Sequence, residues 1–167
     1  PDLAERQAAR IKVDAPEFFD RVSWLAGIPK TFAGVVIANE VIDAFPVERF
    51  LIRAGNVLQS RVTMEGGNLT WTYAEAPSGL ATAVRNIECE LGCTFPDGYT
   101  SEISFAARNW VSELAASITA GFVFLIDYGV TRREYYAAER SDGWLRCHFR
   151  HHAHDNPLLL PGIQDVT

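Results

Sequence analysis

The sequence predicts an α/β fold in which a doubly wound, mostly parallel sheet carries an antiparallel hairpin insertion. Two short apolar runs, residues 35–38 and 122–126, each follow a glycine and end in polar residues. Buried parallel strands have this pattern where they reach the carboxyl edge of a sheet. Between them, apolar residues recur at helical spacing over residues 101–118, with Ser101 as the N-cap and Gly121 as the C-cap. Strands joined by helical crossovers are typical of a doubly wound sheet.

Three further segments have helical or turn-like patterns. Residues 2–11 place apolar side chains on one face and predict a helix, and residues 16–20 predict a further turn. Residues 80–91 predict a second helix, and Gly92 closes it because glycine readily adopts the left-handed conformation of a helix end. Helices therefore precede the first parallel strand and recur between the two strands.

The strands predicted outside the parallel sheet are short. Residues 49–75 alternate apolar and polar side chains between two glycine-containing turns, which predicts antiparallel hairpins inserted into the domain. Residues 22–24 are a candidate short strand, and the chain after residue 126 is predicted to be rich in loops. The domain is thus divided into a parallel part and an antiparallel insertion.

Composition limits the classes of function. The chain has 167 residues, of which 48% are hydrophobic, which is enough for the core of one domain. The net charge of −6 and the lack of a basic stripe disfavour a nucleic-acid partner, and no apolar run approaches the ~18 residues of a membrane span. Three cysteines, an odd number, fit reduced thiols in a cytosolic compartment. Because the chain starts at Pro1 and stops at Thr167 without a tail, we expect an internal fragment of a larger protein.

Acidic residues follow both predicted parallel strands. Glu40 and Asp43 come just after the first strand, and Asp127 and Tyr128 come just after the second. Ligands bind at this edge of open α/β sheets, so these residues are candidates for chemistry. From spacing alone, structural explanations stay open: acids at a helix N-terminus for the first pair and a strand-end turn for the second.

All four histidines lie within residues 148–154, next to Cys147. Such a cluster allows a metal-dependent hydrolase in which the histidines act together with Glu40 or Asp43. Zinc sites, however, need separated ligand pairs on a fixed scaffold, and the chain offers a single cluster. We therefore predict no metal site here, and expect a polar loop over an active site.

Several blocks of the sequence resemble one known family. Residues 34–46 resemble the pattern G-x-x-x-A-N-E-x-x-D-A-x-P of the DUF185 family, the MidA-like methyltransferases. Residues 121–129 resemble its G-x-x-x-x-I-D-Y-G block, residues 143–151 and 162–167 resemble its closing blocks, and residues 1–7 look like the segment after its second strand. The blocks occur in the family's order, and the resemblance covers essentially the whole chain.

The resemblance implies a Rossmann-like class I methyltransferase fold with S-adenosylmethionine as the cofactor. The family's glycine-rich cofactor loop is expected before Pro1, and a further substrate-side segment is expected after Thr167. Residues 1–167 would then be a partial methyltransferase domain that contains the hairpin insertion, residues 49–75. On its own, this chain is expected to be inactive and to bind the cofactor weakly or not at all.

The resemblance also implies roles for individual residues. Residues 35–38 would form the fourth strand of the sheet, and the loop after that strand faces the methyl group in this fold. Asn39, Glu40 and Asp43 are therefore the catalytic candidates, and Asn39 is also a candidate for binding the cofactor. Glu40 first and Asp43 second would hold the guanidinium of an arginine acceptor, which stays protonated. The further substrate-side candidates are Asp127, Tyr128, His151 and Asp165.

The family includes the mitochondrial complex I assembly factor with protein-arginine methyltransferase activity. The implied function is protein arginine N-methylation linked to respiratory complex assembly, with a protein substrate, a possible homodimer, and a cytoplasmic or mitochondrial-matrix location. The first alternative is a non-catalytic assembly module on the same fold, because a fold alone does not establish chemistry. The second alternative is the metal-dependent hydrolase.

Overall fold

The computed structural model describes residues 2–167, so Pro1, at which the first block of the family resemblance begins, lies outside the described residues. The helices are α1 (Asp2–Asp14), α2 (Ser78–Leu91), α3 (Phe105–Ser117) and α4 (Arg132–Tyr135), with a 3-10 helix at Pro16–Arg21. The strands are β1 (Phe32–Asn39), β2 (Glu48–Arg53), β3 (Asn56–Glu65), β4 (Asn68–Glu75), β5 (Thr100–Ile103), β6 (Ile118–Ile126), β7 (Cys147–Phe149), β8 (His152–His154) and β9 (Asp165–Val166). They form a parallel pair of β1 and β6, an antiparallel sheet in the order β4-β3-β2-β5, and a small sheet in the order β8-β7-β9.

The two strands that the sequence predicts as parallel pair with each other. β1 and β6 run side by side to their carboxyl ends, where Asn39 lies opposite Ile126. Gly121 was predicted as the C-cap of the preceding helix, but it lies within β6. A Cβ at this position would come 1.7 Å from the carbonyl oxygen of Gly34. Among the residues described, this parallel sheet has two strands, so the predicted doubly wound sheet is present only in part.

Apolar side chains of the parallel pair are exposed. Val35, Ile37, Phe122 and Phe124 keep between 51% and 70% of their surface accessible. Parallel strands in α/β proteins are normally covered on both faces. The pair therefore offers apolar surface against which further structure can pack.

The helix predicted over residues 101–118 begins later than its periodicity indicates. Ser101 is not its N-cap but lies within β5, opposite Phe50 of β2. α3 starts after Ser104, whose hydroxyl accepts the N–H of Ala107 at 3.1 Å. The prediction was wrong at this end because backbone pairing with a neighbouring strand is a tertiary contact that overrides the spacing of side chains.

The alternating region forms antiparallel strands, as predicted. β2, β3 and β4 follow one another as a meander, and α2 packs against it. Gly92 ends α2 in the left-handed conformation, with φ at 68°. The core of this half is built from buried apolar and aromatic side chains: Phe50, Ile52, Leu80, Val84, Phe95 and Tyr99.

Two segments differ from their predictions. Residues 22–24 form no strand, and the indole N–H of Trp24 instead donates to the side chain of Gln7 on α1 at 2.9 Å. The region after β6, predicted as loop, contains three short strands. Its hairpin turns at Arg150 and His151, both with positive φ, a combination that matches the right-handed twist of paired strands. Each described helix is too short or too polar to cross a membrane.

Candidate functional site

The carboxyl ends of β1 and β6 are tied together by one carboxylate. Asp127 follows β6, and its Oδ2 accepts the backbone N–H groups of Ile42 and Asp43 at 3.0 and 3.2 Å. Its Oδ1 accepts the N–H of Tyr128 at 2.9 Å. Both oxygens of Asp127 thus hold backbone, and they fix the loop that leaves β1.

The loop after β1 is made of turns rather than of a helical turn. Glu40 has a positive φ of 49°, and its N–H donates to the carbonyl of Ile126 at 2.9 Å. The helix N-terminus that would explain Glu40 and Asp43 structurally is therefore absent. Asp127 accepts two successive amides of this loop and thereby holds it in the observed conformation.

Asp43 and Tyr128 form a direct pair across the two strand ends. The phenol O–H donates to Oδ2 of Asp43 at 2.6 Å, the length of a charge-assisted hydrogen bond. This bond is the main reason why the pKa of Tyr128 is raised above its ordinary value, and a hydrogen bond with the Thr167 side chain acts in the opposite direction. A carboxylate and a phenol are thereby presented together at the sheet edge.

A cavity of about 240 Å³ opens beside this pair. Its lining includes two carboxylates, those of Asp43 and Glu102, and no lysine or arginine among the described residues. The remaining walls combine aromatic, aliphatic and hydroxyl side chains: Ile42, Phe45, Val47, Ser104, Ala107, Tyr128, Val130, Tyr135, Trp144, Leu145 and Thr167. Its chemistry suits a group that is cationic and partly apolar.

Glu102 is the most buried charged group of the lining, at 1% exposure. Burial raises the pKa of its carboxyl group, while the backbone N–H of Trp144 and the charge of Arg49 oppose the rise. The Trp144 N–H donates to Oε2 at 2.9 Å, and Nε of Arg49 lies 3.6 Å from Oε1. The sequence does not single out this residue, because with Ser101 as the predicted N-cap Glu102 would lie in the first turn of a helix.

The predicted site residues divide into two groups. Asp43 and Tyr128 line the cavity, and Asp127 holds the loop that carries Asp43. The others are exposed and lie outside the lining: Asn39 and Glu40 at the end of β1, His151 on the β7–β8 turn, and Asp165 in β9. Trp144 and Thr167 join the cavity from segments that only the tertiary fold brings near.

The histidine cluster is spread along a hairpin. Cys147 lies opposite His154 and Phe149 opposite His152 in the register of β7 and β8. In the part of the chain that the structure describes, no three His, Cys, Asp or Glu side chains converge as metal ligands do. The geometry therefore gives no support to the metal-dependent hydrolase.

Comparison with known proteins gives a consistent result. Residues 1–167 match the model of a family described as putative S-adenosyl-L-methionine-dependent methyltransferases. A native crystal structure of an uncharacterized COG1565 superfamily protein from Burkholderia thailandensis is 34% identical, with a TM-score of 0.87, over 99% of this chain and 43% of that chain. A second COG1565 structure from that organism, bound to S-adenosyl-homocysteine, is 34% identical, with a TM-score of 0.83, over 100% and 42%. The chain thus spans less than half the length of these solved relatives. No curated protein matches it.

Proposed function

Since the chain belongs to this family of S-adenosyl-L-methionine-dependent methyltransferases, we propose that the full-length protein transfers a methyl group to an acceptor held beside Asp43 and Tyr128. The observation that carries the proposal is the position of this pair at the carboxyl edge of parallel strands, beside a cavity with an acidic lining. In open α/β sheets this edge is where ligands bind. A relative at 34% identity, whose structure holds S-adenosyl-homocysteine, supports the cofactor.

S-adenosylmethionine, when bound, supplies an electrophilic methyl group on a sulfonium, and the protein supplies alignment and electrostatics. The residues present fit such a cation, because carboxylates stand at this edge of the sheet and the lining of the cavity lacks lysine and arginine among the residues described. We assign the cofactor side to Asn39, which is exposed where β1 ends. The main glycine loop belongs to the part of the domain that we predict before Pro1.

We assign the acceptor to Asp43 ahead of Glu40. Asp43 lines the cavity, whereas Glu40 is exposed and lies outside the lining. Oδ2 of Asp43 is engaged by Tyr128, which leaves Oδ1 for a donor on the acceptor. A guanidinium fits this role because it is permanently protonated and presents several N–H donors to carboxylates.

Protein arginine is therefore the proposed acceptor, and the link to respiratory complex assembly comes from the family resemblance alone. A cytoplasmic location, or the mitochondrial matrix in a eukaryote, belongs to the same proposal. His151 and Asp165 keep their predicted substrate-side roles only if the acceptor extends beyond the cavity. We expect the isolated chain to be inactive, since the solved relatives are more than twice its length.

The test uses the full-length protein. Calorimetric titration with S-adenosyl-homocysteine should show saturable one-site binding, and labelled S-adenosylmethionine should transfer methyl to a peptide library with a fixed central arginine. A library with citrulline at that position is the neutral control. Absence of binding in a folded protein would favour the non-catalytic assembly module.

Substitutions then distinguish the proposed roles of Asp43 and Glu40. Asp43→Asn should lower transfer to the arginine library by at least about a hundredfold while the affinity for S-adenosyl-homocysteine changes little, as for loss of one charge-assisted contact made at the reacting centre. Glu65→Gln, an exposed change at the end of β3, is the matched control. A large loss with Glu40→Gln and none with Asp43→Asn would reverse the assignment.

A further inference from the structure

Glu102 is a buried carboxylate that the proposed chemistry does not use. Its side chain lines the same cavity as Asp43 and Tyr128, and its Oε1 has no hydrogen-bond partner among the described residues. Replacing a buried ion pair as a whole with apolar residues of similar size is often neutral or stabilising, so such a pair is weak evidence for a role in stability. A carboxylate kept in such a place is therefore a candidate for function rather than for stability.

Glu102 and Arg49 hold one segment of chain between them. Oε2 of Glu102 accepts the N–H of Trp144 at 2.9 Å. Nη2 of Arg49 donates to the carbonyl of Asp142 at 2.8 Å, and its Nε lies 3.6 Å from Oε1 of Glu102. Gly143 fits between these contacts only because it lacks a Cβ, which would lie 2.2 Å from Oε1. The ion pair thus fixes both ends of this segment.

The fixed segment forms part of the cavity wall. Trp144 and Leu145 both line the cavity. The indole N–H of Trp144 donates to the carbonyl of Tyr135 at 2.6 Å, and the two rings stack with centroids 5.0 Å apart. The phenol of Tyr136 donates to the backbone carbonyl of Glu102 at 3.0 Å, so α4 is joined to the same point. The position of this wall depends on Glu102.

We propose that Glu102 is a positioning residue of the acceptor site, which together with Arg49 fixes the wall formed by Trp144 and Leu145. The inference rests on the proposed function, which supplies the acceptor. A wall held in place keeps the acceptor against Asp43, where a cationic group meets complementary charge and a neutral analogue does not. We assign Glu102 a positioning role rather than a catalytic one, because its carboxylate is 1% exposed and is held by the Trp144 N–H and by Arg49.

Glu88 provides a matched control for a purely structural buried glutamate. It is 5% exposed, and its Oε1 accepts the N–H of Phe95 at 2.7 Å. Its Oε2 pairs with Arg85, also at 2.7 Å. Glu88 thus has the same two kinds of partner as Glu102, but it lies on α2 and is outside the cavity lining.

Hydrogen exchange of the full-length protein tests the wall without reference to activity. Glu102→Leu should lower the protection of the Trp144 amide by at least about tenfold and leave that of the Phe95 amide unchanged. Glu88→Leu should do the reverse. Unchanged protection of the Trp144 amide in folded Glu102→Leu would overturn the proposal.

Kinetics test the consequence for the acceptor. Glu102→Gln should raise KM for the arginine library about tenfold, equivalent to about 1.4 kcal/mol, with kcat and the affinity for S-adenosyl-homocysteine unchanged. Glu88→Gln should leave KM unchanged. An unchanged KM in Glu102→Gln, or an equal rise in Glu88→Gln, would overturn the proposal. If the wild type binds no S-adenosyl-homocysteine or methylates no library, the proposed function fails, whereas the exchange result still decides the role of Glu102 in the wall.

Discussion

Replacing Gly143 with alanine should destabilise the cavity wall through two separable effects. Gly143 has φ at 86°, a positive value that costs a residue with a side chain about 1–2 kcal/mol. Its Cβ would also lie 2.2 Å from Oε1 of Glu102. That carboxylate is buried and bonded to Trp144, so moving it aside breaks contacts, and overpacking of this kind costs about 1–3 kcal/mol. Gly143→Ala should therefore lower the free energy of unfolding by about 2–5 kcal/mol.

Gly98 isolates the first effect. Its φ is 84°, but no heavy atom of the described residues lies within 4 Å of a Cβ built there. Gly98→Ala should thus lose only the backbone part, about 1–2 kcal/mol. Urea denaturation of both full-length variants measures the difference, which we expect to be about 1–3 kcal/mol. Equal losses in the two variants would refute the steric argument. The double variant Gly143→Ala with Glu102→Ala should lose less unfolding free energy than the sum of the two single losses, because the clash is removed.

Two other predictions concern neighbouring residues. Ser104→Ala removes both the N-cap of α3 and a bond from the Ser104 hydroxyl to the carbonyl of Pro46, so the free energy of unfolding in urea should fall by about 1–2 kcal/mol; a loss below about 0.3 kcal/mol would contradict the capping role. Because burial raises the pKa of Glu102 above its ordinary value, the folded state binds this proton more tightly than the unfolded state. Its contribution to stability is therefore present below the ordinary glutamate pKa and is lost as the pH rises through the folded-state pKa. As the pH rises through this range, the unfolding free energy of Glu102→Gln should increase relative to that of the wild type. Parallel curves of unfolding free energy against pH for the two proteins would contradict this prediction.

The elements that the sequence predicts best are those fixed by local pattern. The alternation over residues 49–75 and the C-cap at Gly92 are local signals, and both appear in the structure. Ser101 shows the limit of such signals. Its segment has the same helical spacing of apolar residues as the helix after it. In the structure, however, the segment pairs as a strand with the edge of β2. The spacing of side chains within this segment does not indicate that residues 48–53 form a strand with which it can pair.

The candidate site was predictable only where it lies on strand ends. Asp43 lies in the loop after β1, which ends at Asn39, and Tyr128 lies just after β6, so the two apolar runs place both residues near the carboxyl edge of the sheet. Glu102, Trp144 and Thr167 reach the same cavity from three separate segments, and their positions depend on tertiary contacts. A single acid within residues 100–103 is an ordinary feature of a strand or of a helix start, and its burial becomes evident only once the wall is assembled.

Asp43 and Asp127 show how one sequence signal leads to two different roles. Each is an acid placed after a parallel strand, and the sequence makes both of them candidates for the site. In the fold, the two carboxylate oxygens of Asp127 accept three backbone N–H groups, so this residue holds the loop. Asp43 receives a single side-chain bond and faces the cavity with an oxygen to spare. Because Asp127 satisfies the backbone of that loop, Asp43 is left available for the ligand-binding role that we propose for it.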